Sequence, residues 1–273
     1  NDADMQKYVV DPVEAGLAVL KADKVATSEV ELDGLRSSVR FMETNEGNLI
    51  TDAYMWQAKE LAADFGVDVP DVALTNGGGI RNNTIIPAGT LTVLDTFDMV
   101  PFPNFLTVSE DIPREQFKEI LENAVSRVDG LTGGTGRFAQ ISGFTMMYNP
   151  DAQAQMVDDD GFVLTPGKRI QSVVLDDGTV LIKDGEIVPG KPTVDIATIE
   201  PVAPVGEMGL ITGQPRSATV RALEKSSLLV LRKPAFERLM RGNARICRQV
   251  YGNVIHILAA RVRDGHLRRA RAR

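Results

Sequence analysis

Apolar positions in residues 10–22 recur at helical spacing. Val10, Val13, Leu17 and Leu20 predict an amphipathic helix, and Lys21 and Lys24 fall where a helix C-terminus favours cations. A second helix is expected over 48–64, with Leu49, Ala53 and Trp56 on one face and Gly66 as its stop. The short run Val72-Ala73-Leu74 leads into Asn76-Gly77-Gly78-Gly79, the pattern of a buried strand entering a tight loop. Pro113 opens a third helix over 114–127, carried by Phe117, Ile120, Leu121 and Ala124. Gly-punctuated strands follow at 138–141, 171–175 and 180–183. The last two are joined by Asp176-Asp177-Gly178, a hairpin signal. This mixture predicts an α+β (mixed α/β) fold for residues 1–200.

Beyond Pro204 the pattern changes. A glycine-bounded stretch at 206–213 precedes strands at 218–222 and 228–231. Residues 234–263 read as two basic amphipathic helices with a break at Gly252-Asn253, a short strand-plus-two-helix appendage. Charge follows the same division. Residues 201–273 carry fifteen bases against four acids, a net of +11, which leaves 1–200 at −18 within a total of −7. Such asymmetry suggests two units of different origin. The basic end is read as a solvated helix end, and no nucleic-acid partner is expected. No apolar run approaches the roughly 18 residues of a membrane span, and no leader segment opens the chain. Cys247 is the only cysteine, so no internal disulfide can form.

Candidate chemistry begins with what is missing. Phosphate-ester hydrolysis at a two-metal site needs several converging His, Asp and Asn ligands. The only histidines are His256 and His266, both in the basic tail, so no metal site and no catalytic residue is expected here. Asp158-Asp159-Asp160-Gly161 lacks the alternating ligands of a calcium loop and reads as a surface turn.

Other features suit binding. Arg36 and Arg40 stand four apart, and guanidinium forks match phosphate and carboxylate oxygens. Thr75-Asn76-Gly77-Gly78-Gly79-Ile80-Arg81 offers a loop where positive φ and close backbone approach are available. Val100-Pro101-Phe102-Pro103-Asn104 presents a ring on a proline-stiffened loop, a platform for stacking.

In order, Arg36-x-x-x-Arg40, Glu43-Thr44-Asn45-Glu46-Gly47-Asn48-Leu49-Ile50, Asn76 to Arg81, Pro101-Phe102-Pro103-Asn104 and Phe138-Ala139-Gln140-Ile141-Ser142-Gly143 resemble the C-terminal domain of the 5'-nucleotidase family. The likeness runs from about residue 2 to about 199. It implies an interdomain linker helix over 1–22 and a substrate-binding domain over 23–200. By the resemblance, Arg36, Arg40 and Arg81 hold the phosphate or ribose side of a nucleotide or nucleoside. Asn76, with Gly78 and Gly79 in its loop, faces the base, and Phe102 is one of two stacking rings. Pro201 stands where the second ring belongs, and Glu207 where the family has a ribose-binding Asp. The family's two divalent metal ions would lie on an N-terminal metallophosphatase domain, a partner that this chain lacks. It would therefore be inactive alone. The resemblance further implies a periplasmic or extracellular location.

The tail resembles part of another family. Gly206-Glu207-Met208-Gly209-Leu210 and Pro215 to Ala222 are similar to the phosphate cassette of cyclic-nucleotide-binding domains. That likeness assigns Glu207 to the ribose hydroxyl and Arg216, Ser217 and Ala218 to the cyclic phosphate, with residues 201–273 as a partial domain. The alternative it raises is a cytoplasmic cyclic-nucleotide sensor.

Overall fold

The computed structural model describes residues 3–102, 104–128, 135–158, 161–201, 232–234, 236 and 238. The chain divides into two compact units, Asn1–Val202 and Ala203–Arg273. In the second, Phe236 is buried and its N–H donates to the Arg232 carbonyl. The strands and most of the helices expected in the tail lie outside the described residues.

The first unit opens helically. Ala3–Met5 (α1) runs through a π-helical stretch, Gln6–Val10, into Asp11–Ala22 (α2). Strands Lys24–Ser28 (β1) and Leu32–Asp33 (β2) precede the short helix Arg36–Val39 (α3) and the long helix Asn45–Phe65 (α4). Then come Val72–Asn76 (β3), Ile85–Ile86 (β4), Gly89–Thr92 (β5), Val93–Met99 (α5), Asn104–Pro113 (β6) and Arg114–Val125 (α6). Ala139–Ser142 (β7), Phe144–Tyr148 (β8), Met156–Val157 (β9), Val163–Thr165 (β10), Ile170–Leu175 (β11), Val180–Lys183 (β12), Glu186–Ile187 (β13) and Thr193–Pro201 (β14) complete it. The fold is mixed α/β.

The sheet that matters for the site is β6-β14-β3-β7. β14 and β3 are parallel and the outer pairs antiparallel. Strand alternation sends successive side chains to opposite faces, and residue size follows. Val72 and Ile196 join the core around α6, with Phe117, Leu121 and Val125. Their neighbours Ala73 and Ala197 face α4 and pack with Met55 and Ala58. The α6 core continues into a second sheet, β13-β12-β11-β8. The β11–β12 hairpin forms as expected, with Gly178 at φ 88° and the Asp177 carboxylate accepting from the Thr179 N–H at 2.8 Å.

Two helices differ from the sequence reading. The face of α4 expected to be buried is exposed: Leu49, Ala53 and Trp56 point outward, Trp56 at 61%. The buried face carries Glu46, Gly47, Ile50, Thr51, Met55, Ala58 and Ala62. Small residues there let the helix lie close on Ala73 and Ala197, so side-chain size decided the face and hydrophobicity did not. The helix also starts earlier, because the Thr44 hydroxyl accepts from the Gly47 N–H at 3.0 Å and caps it. α2 forms where expected, yet none of its residues is buried.

Candidate functional site

At the end of β3 the backbone enters a single 3₁₀ turn, Gly77–Gly79. None of these three glycines has a positive φ, contrary to the sequence expectation; crowding explains two of them. A Cβ on Gly77 would overlap the Val39 carbonyl oxygen. One on Gly78 would stand 2.9 Å from the Gly136 Cα. Backbone therefore packs directly on backbone from three segments. Gly77 N–H donates to Phe138 O at 2.7 Å and Gly78 N–H to Gly136 O at 2.9 Å. Asn76 Nδ2 also donates to Gly136 O, at 2.9 Å. Gly79 is looser, meeting only side-chain oxygens at 3.4 and 3.7 Å.

The arginines arrive from both sides of this turn. α3 carries Arg36 at its start, and Arg40 ends it. Arg36 N–H donates to the Asn83 Oδ1 at 2.9 Å, and Asn83 adopts φ 50° to reach it. Arg81 N–H donates to Met99 O at 2.9 Å, and its Nη1 to Gly78 O at 3.1 Å. The Arg40 guanidinium senses the other two. Burial, then the charges of Arg36 and Arg81, hold the Arg40 guanidinium below its usual pKa. Arg40 Nε is buried and unpartnered among the described residues, and none of the three arginines has a carboxylate within ion-pair distance there. Like charges gathered this way favour an anion, which relieves their repulsion and takes up their donors.

Phe102 is half exposed. The Arg81 guanidinium lies over its ring, 5.6 Å from the centroid, a cation–π distance. A planar ligand stacking on Phe102 would use the other face or displace Arg81. Position 201 ends β14 in register with Asn104, two residues beyond Phe102, so the place occupied by Pro201 lies beside the Phe102 loop.

Sequence reasoning gave no role to Gln140, which is 1% exposed. Its Nε2 donates to Val39 O and Met42 O at 2.9 and 2.8 Å, and its Oε1 accepts from the Thr44 N–H at 3.2 Å. It ties β7 to the segment carrying Arg40 and the α4 cap. The available signal is a polar residue set among Phe138, Ala139 and Ile141 in the expected strand at 138–141. The structure thus brings Arg36, Arg40, Asn76, Gly78, Gly79, Arg81 and Phe102 to one end of the sheet. Glu207, Arg216, Ser217 and Ala218 lie outside the described residues. Among the described residues no group of three His, Cys, Asp or Glu could hold a metal ion, so the donor set here does not fit a two-metal centre.

Comparison with known proteins identifies the family to which this fold belongs. Residues 24–189 match the family model "5'-nucleotidase, C-terminal domain", and 175–243 match the model "Cyclic nucleotide-binding domain". The chain is 38% identical over 148 residues to the trifunctional nucleotide phosphoesterase protein YfkN of Bacillus subtilis, covering 53% of this chain and 9% of that protein. It is 35% identical over 123 residues to a 5'-nucleotidase of Vibrio vulnificus, covering 45% and 19%. The crystal structure of a 5'-nucleotidase precursor from Thermus thermophilus superposes with a TM-score of 0.52 at 29% identity, covering 71% of this chain and 32% of that one. The chain spans less than a third of each of these relatives.

Proposed function

The chain belongs to the 5'-nucleotidase C-terminal domain family, and on that premise we propose that residues 23–200 recognise a nucleotide or nucleoside for a metallophosphatase. The supporting observation is the convergence of Arg36, Arg40 and Arg81 on the Gly77–Gly79 turn, with Asn76 and Phe102 alongside. In this reading the arginines take the phosphate or ribose oxygens, and the Asn76 amide meets the base edge. Phe102 stacks on the base. Half of the stacking pair is replaced by Pro201, which lowers affinity by about 1 kcal/mol.

In this reading bond cleavage would fall to a metallophosphatase domain, whose two divalent ions would supply the activated water. The residues of this chain contribute binding and orientation. An exported location, periplasmic or extracellular, goes with this reading, in keeping with a neighbour described as a precursor. No described helix is long and apolar enough to cross a membrane. Equilibrium dialysis of the purified chain with labelled AMP and adenosine tests the proposal. Binding of both, without phosphate release when Mn²⁺ is added, is the expected result. Metal-dependent turnover by the chain alone would contradict it.

A second reading, cyclic-nucleotide sensing through Glu207, Arg216, Ser217 and Ala218, rests on the match at 175–243. Residues 175–201 of that stretch are already built into the first unit: β12 pairs with β11 and β13, and β14 with β6 and β3. A closed barrel around the cassette would need strands from elsewhere.

A further inference from the structure

Glu46 sits in the second position of α4, beneath the loops that carry Arg36 and Arg81, and is fully buried. Its Oε2 accepts from Asn82 Nδ2 at 2.9 Å, and its Oε1 has no partner among the described residues. Gly34 is packed onto this carboxyl: a Cβ there would come within 2.5 Å of Oε1 and also strike the Asn82 amide. The same two loops are stitched together nearby. Gly34 N–H donates to Thr84 O at 3.0 Å, and Arg36 N–H to Asn83 Oδ1 at 2.9 Å. The β2 end is held from α4, because the Asp33 N–H donates to Asn45 Oδ1 at 2.9 Å. Asn82 and Asn83 directly follow Arg81, so the seat of Asn82 on Glu46 fixes where Arg81 leaves the loop.

We propose that Glu46 is a positioning residue: through Asn82 it seats the 81–84 loop against residues 33–36 and so sets the spacing of Arg81 and Arg36 for the ligand phosphate. The inference rests on the nucleotide-recognition reading above. It carries a pH dependence. A protonated Glu46 is neutral and tolerates burial with a single donor. An ionised one faces Asp33, the charged group that acts on it, and has one hydrogen-bond donor for its two oxygens. A buried carboxylate so poorly solvated is costly. It is relieved by admitting water, which parts the two loops. Burial, with Asp33 adding, places this transition near neutral pH, pushing the carboxyl up to about 7.

The test is calorimetric titration of the full chain with AMP at pH 6 and pH 8.5, for the wild type, Glu46→Gln and Asn82→Ala. The change in AMP's own phosphate charge between the two pH values (second pKa about 6) is common to all three proteins and cancels when the wild type is compared with Glu46→Gln. Glutamine keeps an acceptor for Asn82 but cannot ionise. Relative to Glu46→Gln, the wild type should lose roughly fivefold or more of its affinity between the two pH values, the scale of an ordinary coupling between two ligands. Asn82→Ala should bind AMP more weakly at both. Parallel pH profiles for wild type and Glu46→Gln, with AMP still bound, would overturn the positioning role and leave the nucleotide reading standing. So would wild-type affinity in Asn82→Ala. Absence of AMP binding by the wild type at both pH values would remove the nucleotide reading and this inference with it.

Discussion

Gln140 and Val39, 101 positions apart in sequence, are joined by a 2.9 Å hydrogen bond from the Gln140 carboxamide to the Val39 carbonyl. That carbonyl is also the atom that a side chain on Gly77 would strike. One backbone oxygen thus receives β7 and the glycine turn together, immediately before Arg40. Replacing Gln140 with Leu strands two carbonyls and the Thr44 N–H. The expected loss is about 1–3 kcal/mol of stability, read as a lower denaturant midpoint at unchanged slope.

Gly77→Ala should be the more damaging change in the turn. The methyl group would meet backbone from a separate segment, which cannot rotate away as a side chain can. Gly79→Ala, with only the Asn76 and Thr75 side-chain oxygens near, should be tolerated. Thermal melting of the two variants side by side checks this: a large drop in Tm for Gly77→Ala and a small one for Gly79→Ala.

Arg40→Ala should weaken AMP more than adenosine. Its guanidinium lies in the cationic cluster, and an exposed phosphate partner is worth more than a hydroxyl one. Loss of a charged hydrogen bond costs about 1.5–3 kcal/mol, or roughly ten- to a hundredfold in Kd. Raising salt should narrow the gap between AMP and adenosine. Equal losses for both ligands would place Arg40 away from the phosphate.

Stability itself should depend on pH through Glu46. Its folded pKa of about 7 lies above its ordinary value of 4.5, so the folded state binds the proton more tightly. The associated stabilisation is fully present below about 4.5 and is lost as pH rises through 7. Its ceiling is on the order of 3 kcal/mol, from about 1.4 kcal/mol per unit. Glu46→Gln should flatten that slope between pH 5 and 8.5 in urea unfolding; an unchanged slope would mean that Glu46 does not titrate in this window.

Much of this molecule was legible in its sequence, for reasons that can be located. The strand at Val72, the glycine turn and the Asp177-Gly178 hairpin rest on local chemistry: apolar runs, turn residues and short hydrogen bonds. What escaped depended on distant partners. The inward face of α4 escapes the pattern because Met55 and Ala58 are matched to Ala73 and Ala197 on the sheet, while Trp56 outweighs Ala58 in the hydrophobic pattern. Gln140 and Glu46 gained roles only when the fold set them against Val39 and Asn82. The glycines at 77 and 78 were read correctly as special, but for a conformational reason when the structural one is crowding.

The most direct test of the central claim is calorimetric titration of the purified chain, without added metal, with AMP and cyclic AMP, for the wild type, Arg81→Ala and Arg216→Ala. The account predicts AMP binding that is lost in Arg81→Ala and retained in Arg216→Ala. Preferential binding of cyclic AMP, abolished by Arg216→Ala and indifferent to Arg81→Ala, would contradict it.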